Sequence, residues 1–428
     1  MIRILRMDEI SEAEIFERND SAADVSDIVA GIVADVRARG DAALLEYTER
    51  FDHAVLRSLQ VSKEEFDEAM ALVDPRMQAV LKKAAASIRA FHNEQRRSGF
   101  ILNDRKGVVM GQKVLPLERV GIYVPGGTAT YPSTVLMDSI PAKIAGVKEL
   151  MITTPPGRDG KVNPVILAAA RIAGVDRVFK VGGAQAVAAL AYGTESIPKA
   201  DKIVGPGNAF VTEAKRQIFG VAAIDMIAGP SEILIVADAK TDPAYAAADL
   251  LSQAEHDKNA SAVLITDSEA LARQVQAELE KQLALLPREG IARVSIEARG
   301  KIIITRDIES AIATANRLAP EHLELSLDQP FDYLDAVQNA GSVFLGRSCP
   351  EALGDYMAGP NHTLPTAGTA RFSSPLSVDD FVKKIQYTYF SAEAFRDVAP
   401  DVVFFARQEG LEAHARSALV RLQKEERS

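Results

Sequence analysis

From about Val114 onward the chain alternates between two kinds of segment, and this alternation constrains its fold more than any other feature. Short β-rich runs at 120–124, 150–154, 177–181, 202–204 and 233–237 run into glycine or proline. Between them, 132–145, 162–173, 184–192 and 209–219 have the apolar spacing of helices. Strand–helix alternation at this interval implies parallel strands joined by helical crossovers, a doubly wound sheet. Ligands on such sheets lie outside the carboxyl ends of the strands.

A second alternation follows, with strands expected at 262–266, 301–305, 324–327 and 342–345 and a long helix at 269–285. The reading is therefore α/β, with two Rossmann-like doubly wound parallel-sheet domains and a cleft between them. The first hundred residues read mostly as helices, with helical spacing at 25–39 and 75–91 and a capping box at Ser62-Lys-Glu-Glu65. From Phe372 the chain is extended and polar, then helical over about 408–424. A tail this short cannot easily bury a core of its own, so it is expected to dock on the body or on a second subunit.

The net charge of −10 leaves no basic excess for a nucleic-acid surface. The single cysteine, Cys349, excludes an intrachain disulfide and any cysteine-cluster metal site, and suits a reducing compartment. Residues 1–8 lack the apolar core of a signal peptide, and the richest apolar run, 165–175, is broken by Arg171. The expectation is a cytoplasmic protein with neither a membrane nor a nucleic-acid partner.

Of six histidines, four stand in polar strings: 252–256 ending in His256, Pro320-Glu321-His322, Gly354-Asp355-Tyr356 running to Asn361-His362, and Glu409 leading to His414. Histidine beside carboxylates suits zinc ligation and proton transfer near neutral pH. Gln253 and His256 are three apart and could face one metal, although glutamine is an uncommon zinc ligand. Pro320 must end a helix, leaving Glu321 and His322 at the mouth of the next strand. Glu409 and His414 could reach one ligand only if the last helix begins after Glu409, which Gly410 permits. His53 and His92 read as structural. Glycine-rich turns at 124–127, 181–183 and 204–207 let backbone amides approach a phosphate, yet none matches G-x-G-x-x-G. Each serves equally as an ordinary tight turn; their repetition favours a dinucleotide, with Tyr123, Gln185 and Asn208 beside them.

Taken in order, these strings closely resemble the histidinol dehydrogenase family. The resemblance rests on Gly121-Ile-Tyr-Val-Pro-Gly-Gly127, Val181-Gly-Gly-Ala-Gln-Ala186, Val204-Gly-Pro-Gly-Asn208, Gly229-Pro-Ser-Glu232 and Leu251-Ser-Gln-Ala-Glu-His256. Pro320-Glu-His322, Gly354-Asp-Tyr356 with Asn361-His362, and Glu409-Gly-Leu-Glu-Ala-His414 complete it, so it spans nearly the whole chain. It implies a zinc-dependent enzyme that uses NAD to oxidise L-histidinol to L-histidine, the last step of histidine biosynthesis, by two hydride transfers through an aldehyde. Gln253, His256, Asp355 and His414 match the family's zinc ligands, and Glu321 and His322 its catalytic pair. Ser231, His322, His362 and Glu409, with the zinc ligands, match its substrate contacts; Tyr123, Gln185 and Asn208 match its NAD contacts. The resemblance further implies a homodimer in which His414 serves the neighbouring subunit's site. The division expected is an N-terminal segment 1–22 packing with the tail, a first α/β domain at 23–122 and 231–371, an NAD domain at 123–230, and a tail domain at 372–428.

On this reading zinc positions the substrate, His322 takes the alcohol proton, and Glu321 activates the water that adds to the aldehyde. An ordinary histidine pKa of about 6.5 then favours mildly alkaline conditions. Three alternatives stay open: oxidation of another amino or anionic alcohol, a zinc hydrolase with Glu321 as general base, and a non-catalytic metal-binding protein.

Overall fold

The computed structural model describes residues 1–9, 11, 14–15, 24–126 and 130–425. Along the chain, strand β1 (Arg3–Arg6) precedes four helices, α1 (Ser26–Arg39), α2 (Asp41–Asp52), α3 (Lys63–Leu72) and α4 (Pro75–Asn93). Strands β2 (Phe100–Leu102) and β3 (Val108–Pro116) follow. The first alternation then runs β4 (Arg119–Tyr123), α5 (Pro132–Ala145), β5 (Glu149–Thr154), α6 (Pro164–Ala173), β6 (Arg177–Lys180), α7 (Gly183–Tyr192), β7 (Lys202–Val204), α8 (Ala209–Ile218) and β8 (Ala223–Ile224). The second runs β9 (Glu232–Ala237), α9 (Pro243–Ala254), β10 (Ser261–Thr266), α10 (Glu269–Leu283), α11 (Glu289–Ala298), β11 (Lys301–Ile304), α12 (Ile308–Leu318), β12 (His322–Ser326) and β13 (Ser342–Leu345). Strand β14 (Val382–Phe390) and helices α13 (Ala392–Gln408) and α14 (Glu412–Glu425) end the described chain.

Local chemistry sets many of these boundaries. Ser62 and Glu65 form the expected capping box: the Glu65 amide donates to Ser62 Oγ at 3.2 Å and the Ser62 amide to Glu65 Oε2 at 2.8 Å. Helix α6 has Asn163 as its cap, Pro164 at its first position and Gly174 in the left-handed conformation at its end. Each such cap contributes about 1 kcal/mol.

Residues Met1–Arg96 and Leu117–Phe381 form one compact unit. Its first sheet has five parallel strands in the order β6-β5-β4-β7-β8. Val120, Ile122, Leu150 and Ile152 pack on one face beneath α3–α6, while Met151, Phe179 and Ile203 pack on the other beneath α1, α2, α7 and α8. Burial on both faces explains why these strands read as continuous apolar runs. The second sheet has six parallel strands in the order β1-β11-β10-β9-β12-β13. The α/β reading with two doubly wound parallel sheets therefore holds.

The second unit comprises Arg97–Pro116 and Val382–Ser428. Here β14 pairs antiparallel with β3 along its full length, Val382↔Pro116 to Phe390↔Val108, and β2 pairs on the other side of β3. Helices α13 and α14 pack on each other through Ala399, Val403, Ala406, Ala415 and Ala418.

Three features depart from the sequence reading. Residues 392–408, read as extended, form α13, and with α14 it buries a small apolar cluster within the tail. Residues 97–116 join the tail sheet instead of the first α/β domain, because a lone β14 would have no ladder partner. Residues 3–6 form an edge strand on the second sheet; most of the remaining 1–22 segment lies outside the described residues.

Candidate active site

In the first sheet the strand order reverses between β4 and β7, and a crevice opens beyond their carboxyl ends. Tyr123, Gln185 and Asn208 all line a cleft of about 1290 Å³ there, together with Gly126 and Gly183. The Tyr123 hydroxyl accepts from the Gly183 amide at 3.2 Å, and Gly183 opens α7 at φ +67°. Asn208 Oδ1 caps α8 by accepting from the amides of Phe210 and Val211 at 3.1 and 3.2 Å, so its amide nitrogen remains for a ligand. A Cβ on Gly126 would lie 2.2 Å from Pro155, which explains glycine at that turn; Gly127 is outside the described residues. The cleft's position, glycine lining and two helix starts fit a dinucleotide.

The second sheet places its chemistry at the opposite end. Ser231 precedes β9, and Glu321 and His322 stand where β12 begins, so these residues gather at the amino ends of neighbouring strands. The carboxyl ends are occupied by Arg347 bonded to Asp238 at 2.6 Å and paired with Asp328, and by Thr241 donating to the Ser326 carbonyl at 2.7 Å. The carboxyl-end rule therefore describes only the first sheet.

Pro320 ends α12 as expected, with Ala319 left-handed at its cap. One residue of β9 then organises the pair. The Glu232 amide donates to Glu321 Oε2 at 2.9 Å, and the Glu232 carbonyl lies 2.9 Å from His322 Nδ1. A carbonyl only accepts, so Nδ1 carries a proton, and in the neutral imidazole Nε2 keeps the free lone pair. That Nε2 is buried and has no hydrogen-bond partner. Burial disfavours the Glu321 charge and pushes its carboxyl up to about 7. Burial pulls His322 down, but the carboxylates of Glu321, Glu351 and Asp355 outweigh it and leave the imidazole above its ordinary value.

Asp355 lies 3.6 Å from His362 Nδ1 and 4.0 Å from His322 Nε2. Burial raises its carboxyl, yet the hydrogen bond and charge of His362 hold it at about 2. His362 is the expected residue in this loop, and its Nε2 lies 3.4 Å from Thr134 Oγ1. Gln253 lies in the last turn of α9 with its Oε1 buried and partnerless, and the His256 amide donates to the Gln253 carbonyl at 3.1 Å. Burial lowers the His256 pKa, leaving a neutral imidazole. His256 and Asp355 both line a cavity of about 270 Å³, walled by Leu81, Ala84, Leu136 and Met137. A partnerless amide oxygen, a neutral imidazole and an ionised carboxylate are donors that zinc accepts.

Glu351 was not singled out from sequence. It lies four residues before Asp355, accepts from Ser252 Oγ at 2.8 Å, and with His322 and Asp355 places donor atoms within 4.8 Å of one another. Its nearness to the Gly354-Asp355 string was the signal available. Asp138 was also passed over, although it stands alone in an apolar helix; it accepts from Thr363 Oγ1 at 2.7 Å, next to His362. Glu409 and His414 belong to the second unit, where both are exposed; α14 begins at Glu412, after the left-handed Gly410.

The family model described as histidinol dehydrogenase matches residues 16–422. The chain is 56% identical over 400 residues to the histidinol dehydrogenase of Syntrophotalea carbinolica, covering 93% of each. To that of Geobacter sulfurreducens it is 52% identical over 425 residues, covering 98% of this chain and 99% of the other. The crystal structure of histidinol dehydrogenase from Elizabethkingia anophelis matches with a TM-score of 0.93 at 40% identity, covering 99% of this chain and 98% of that one. With the fold and site above, these likenesses define an oxidoreductase that acts on a small molecule. The chain belongs to the histidinol dehydrogenase family.

Proposed function

We propose that the chain oxidises L-histidinol to L-histidine through histidinaldehyde, with zinc in the cavity beside Asp355 and NAD in the cleft beside Tyr123. The observation that carries this reading is the His322 imidazole, held at Nδ1 and free at Nε2, next to a buried Glu321 that titrates near neutrality. His322 takes the alcohol proton at Nε2 as hydride leaves for the dinucleotide. Glu321 takes a proton from the water that adds to the aldehyde, giving the hydrate whose oxidation completes the four-electron change. Each turn consumes one water and two NAD and yields two NADH.

Gln253, His256 and Asp355, with His414 of the partner subunit, would hold zinc. Bound zinc would supply a Lewis-acidic anchor for the substrate's neutral nitrogens. Ser231, His362 and Glu409 orient the substrate, and Tyr123, Gln185 and Asn208 hold the dinucleotide. The partnerless Gln253 Oε1 supports the metal site, and the exposure of Glu409 and His414 supports a homodimer whose subunits share their sites. We place a dinucleotide domain at 123–230 around the first sheet and the catalytic residues on the second sheet within 231–371; of the 23–122 segment, helices α1–α4 pack on the first sheet and 97–116 belong with the tail. No helix among the described residues is long and apolar enough to cross a membrane, and one cysteine suits the cytoplasm, where we place the chain.

The test is to supply zinc-loaded protein with L-histidinol and NAD and count NADH formed per histidinol consumed. Two NADH, lost on chelation and regained with zinc, is the expected outcome. One NADH with aldehyde accumulating would remove the second oxidation from the reading.

A further inference from the structure

Behind the turn that carries Asn208 lies an ion pair that the chemistry above does not use. Lys215 on α8 and Asp225, just after β8, have side chains only 3% and 0% exposed and pair directly with each other. Both also grip one residue. Lys215 Nζ donates to the Gly205 carbonyl at 3.0 Å, and Asp225 Oδ2 accepts from the Gly205 amide at 2.8 Å. The other Asp225 oxygen accepts from the Met226 amide at 2.7 Å. Gly205 has φ +111°, and a Cβ there would lie 2.2 Å from the Tyr123 carbonyl oxygen. The two peptides that flank the Gly205 Cα are thus held by opposite charges, one at its amide and one at its carbonyl, with the backbone of Tyr123 close on another side.

Taking two charges fully out of water is a poor way to gain stability, since apolar side chains of similar volume serve as well or better. Charge-assisted hydrogen bonds are short and geometrically demanding, so they do fix orientation. We propose that Lys215 and Asp225 are positioning residues for the dinucleotide. They set the two peptides on either side of Gly205, and through them the turn that presents Asn208 to the cleft. This inference rests on the dinucleotide reading given above.

The experiment is an NADH titration, followed by fluorescence, of the wild-type protein and of Lys215→Met/Asp225→Leu, which removes both charges and leaves neither buried alone. The thermal midpoint reports whether the variant folds and should fall modestly, because removing the charges is tolerated but the Gly205 backbone groups lose their partners. The NADH Kd should rise roughly 10- to 100-fold, the scale of effect that a small displacement of a binding group produces, with the KM for NAD rising in step and that for L-histidinol unmoved. An unchanged NADH Kd in the folded variant overturns the inference alone. Equal losses toward both substrates also overturn it, because the pair would then be merely structural. No NADH binding by the wild type takes down the dinucleotide reading, and the inference with it. If the double variant does not fold, Lys215→Gln/Asp225→Asn carries the test: it removes both charges and leaves neither buried alone, keeps the shape but weakens the grip on Gly205, and about a fivefold rise in Kd is expected. No rise in that variant is again a refutation.

Discussion

The Nδ1 of His322 and the carbonyl of Glu232 lie 2.9 Å apart, and this contact decides which nitrogen of the imidazole can act as a base. The proton sits on Nδ1, and the lone pair on the buried Nε2 points where no other protein group bonds to it.

His322→Asn tests that role. Asparagine can still donate to the Glu232 carbonyl but has no basic nitrogen. We expect alcohol oxidation to fall about 10²- to 10⁴-fold with zinc content, measured on the purified protein, unchanged. Loss of zinc would instead make His322 a ligand, together with Glu351 and Asp355, whose donor atoms lie within 4.8 Å of its own.

Glu321 gives a pH prediction. Burial raises its carboxyl to about 7, and it acts as a base only when ionised. Oxidation of added histidinaldehyde should therefore climb about tenfold per unit as pH rises toward 7 and level off above it. Glu321→Gln should lose that limb and most of the aldehyde step while sparing alcohol oxidation. A wild-type profile flat between pH 5 and 8 would rule the assignment out.

Asp138 is wholly buried, and burial lifts its carboxyl to about 7, with Oδ2 lacking any partner. Its folded pKa lies above the unfolded value near 3.9, so between these limits the native state holds the extra proton and stability falls as pH rises. Denaturant unfolding of wild type and Asp138→Asn should show the variant gaining on the wild type from pH 4 to 7, by a few kcal/mol at most. Parallel curves for the two proteins would contradict this.

Gly354 lies against the ring of Phe344, where an added Cβ would come within 2.4 Å of a ring carbon. That ring stacks on His322 with centroids 6.1 Å apart. Gly354→Ala should cost about 1–3 kcal/mol of stability and lower kcat by displacing the imidazole. Adding Phe344→Leu should recover part of both losses; an unaltered kcat in the single variant would show that the ring does not transmit the strain.

How much of this was legible in the sequence differs from element to element. Between Arg119 and Ala237 all the elements but the two-residue β8 were, because both faces of the sheets are buried and the boundaries carry glycine, proline and asparagine caps. Helix α13 was not: Pro400 sits inside it, and Phe404 and Phe405 are exposed, which obscures its amphipathic stripe. Strand β1 is four residues long and owes its conformation to β11 rather than to its own composition. In the site, residues in polar strings with histidine could be found. Glu351 lay outside the string as read, and the role of Glu232 belongs to its backbone, which no side-chain pattern reports.

The register that joins Arg3 to Lys301 and Arg6 to Ile304 has a consequence for how the molecule is made. During synthesis β1 is made long before its partner and must wait, unpaired, until β11 has followed it. The five strands of the first sheet, β4 to β8, are all available long before that. Synthesis therefore lets the first sheet close early, while the sheet that bears His322 gains its edge late, through the most distant strand pairing among the described residues.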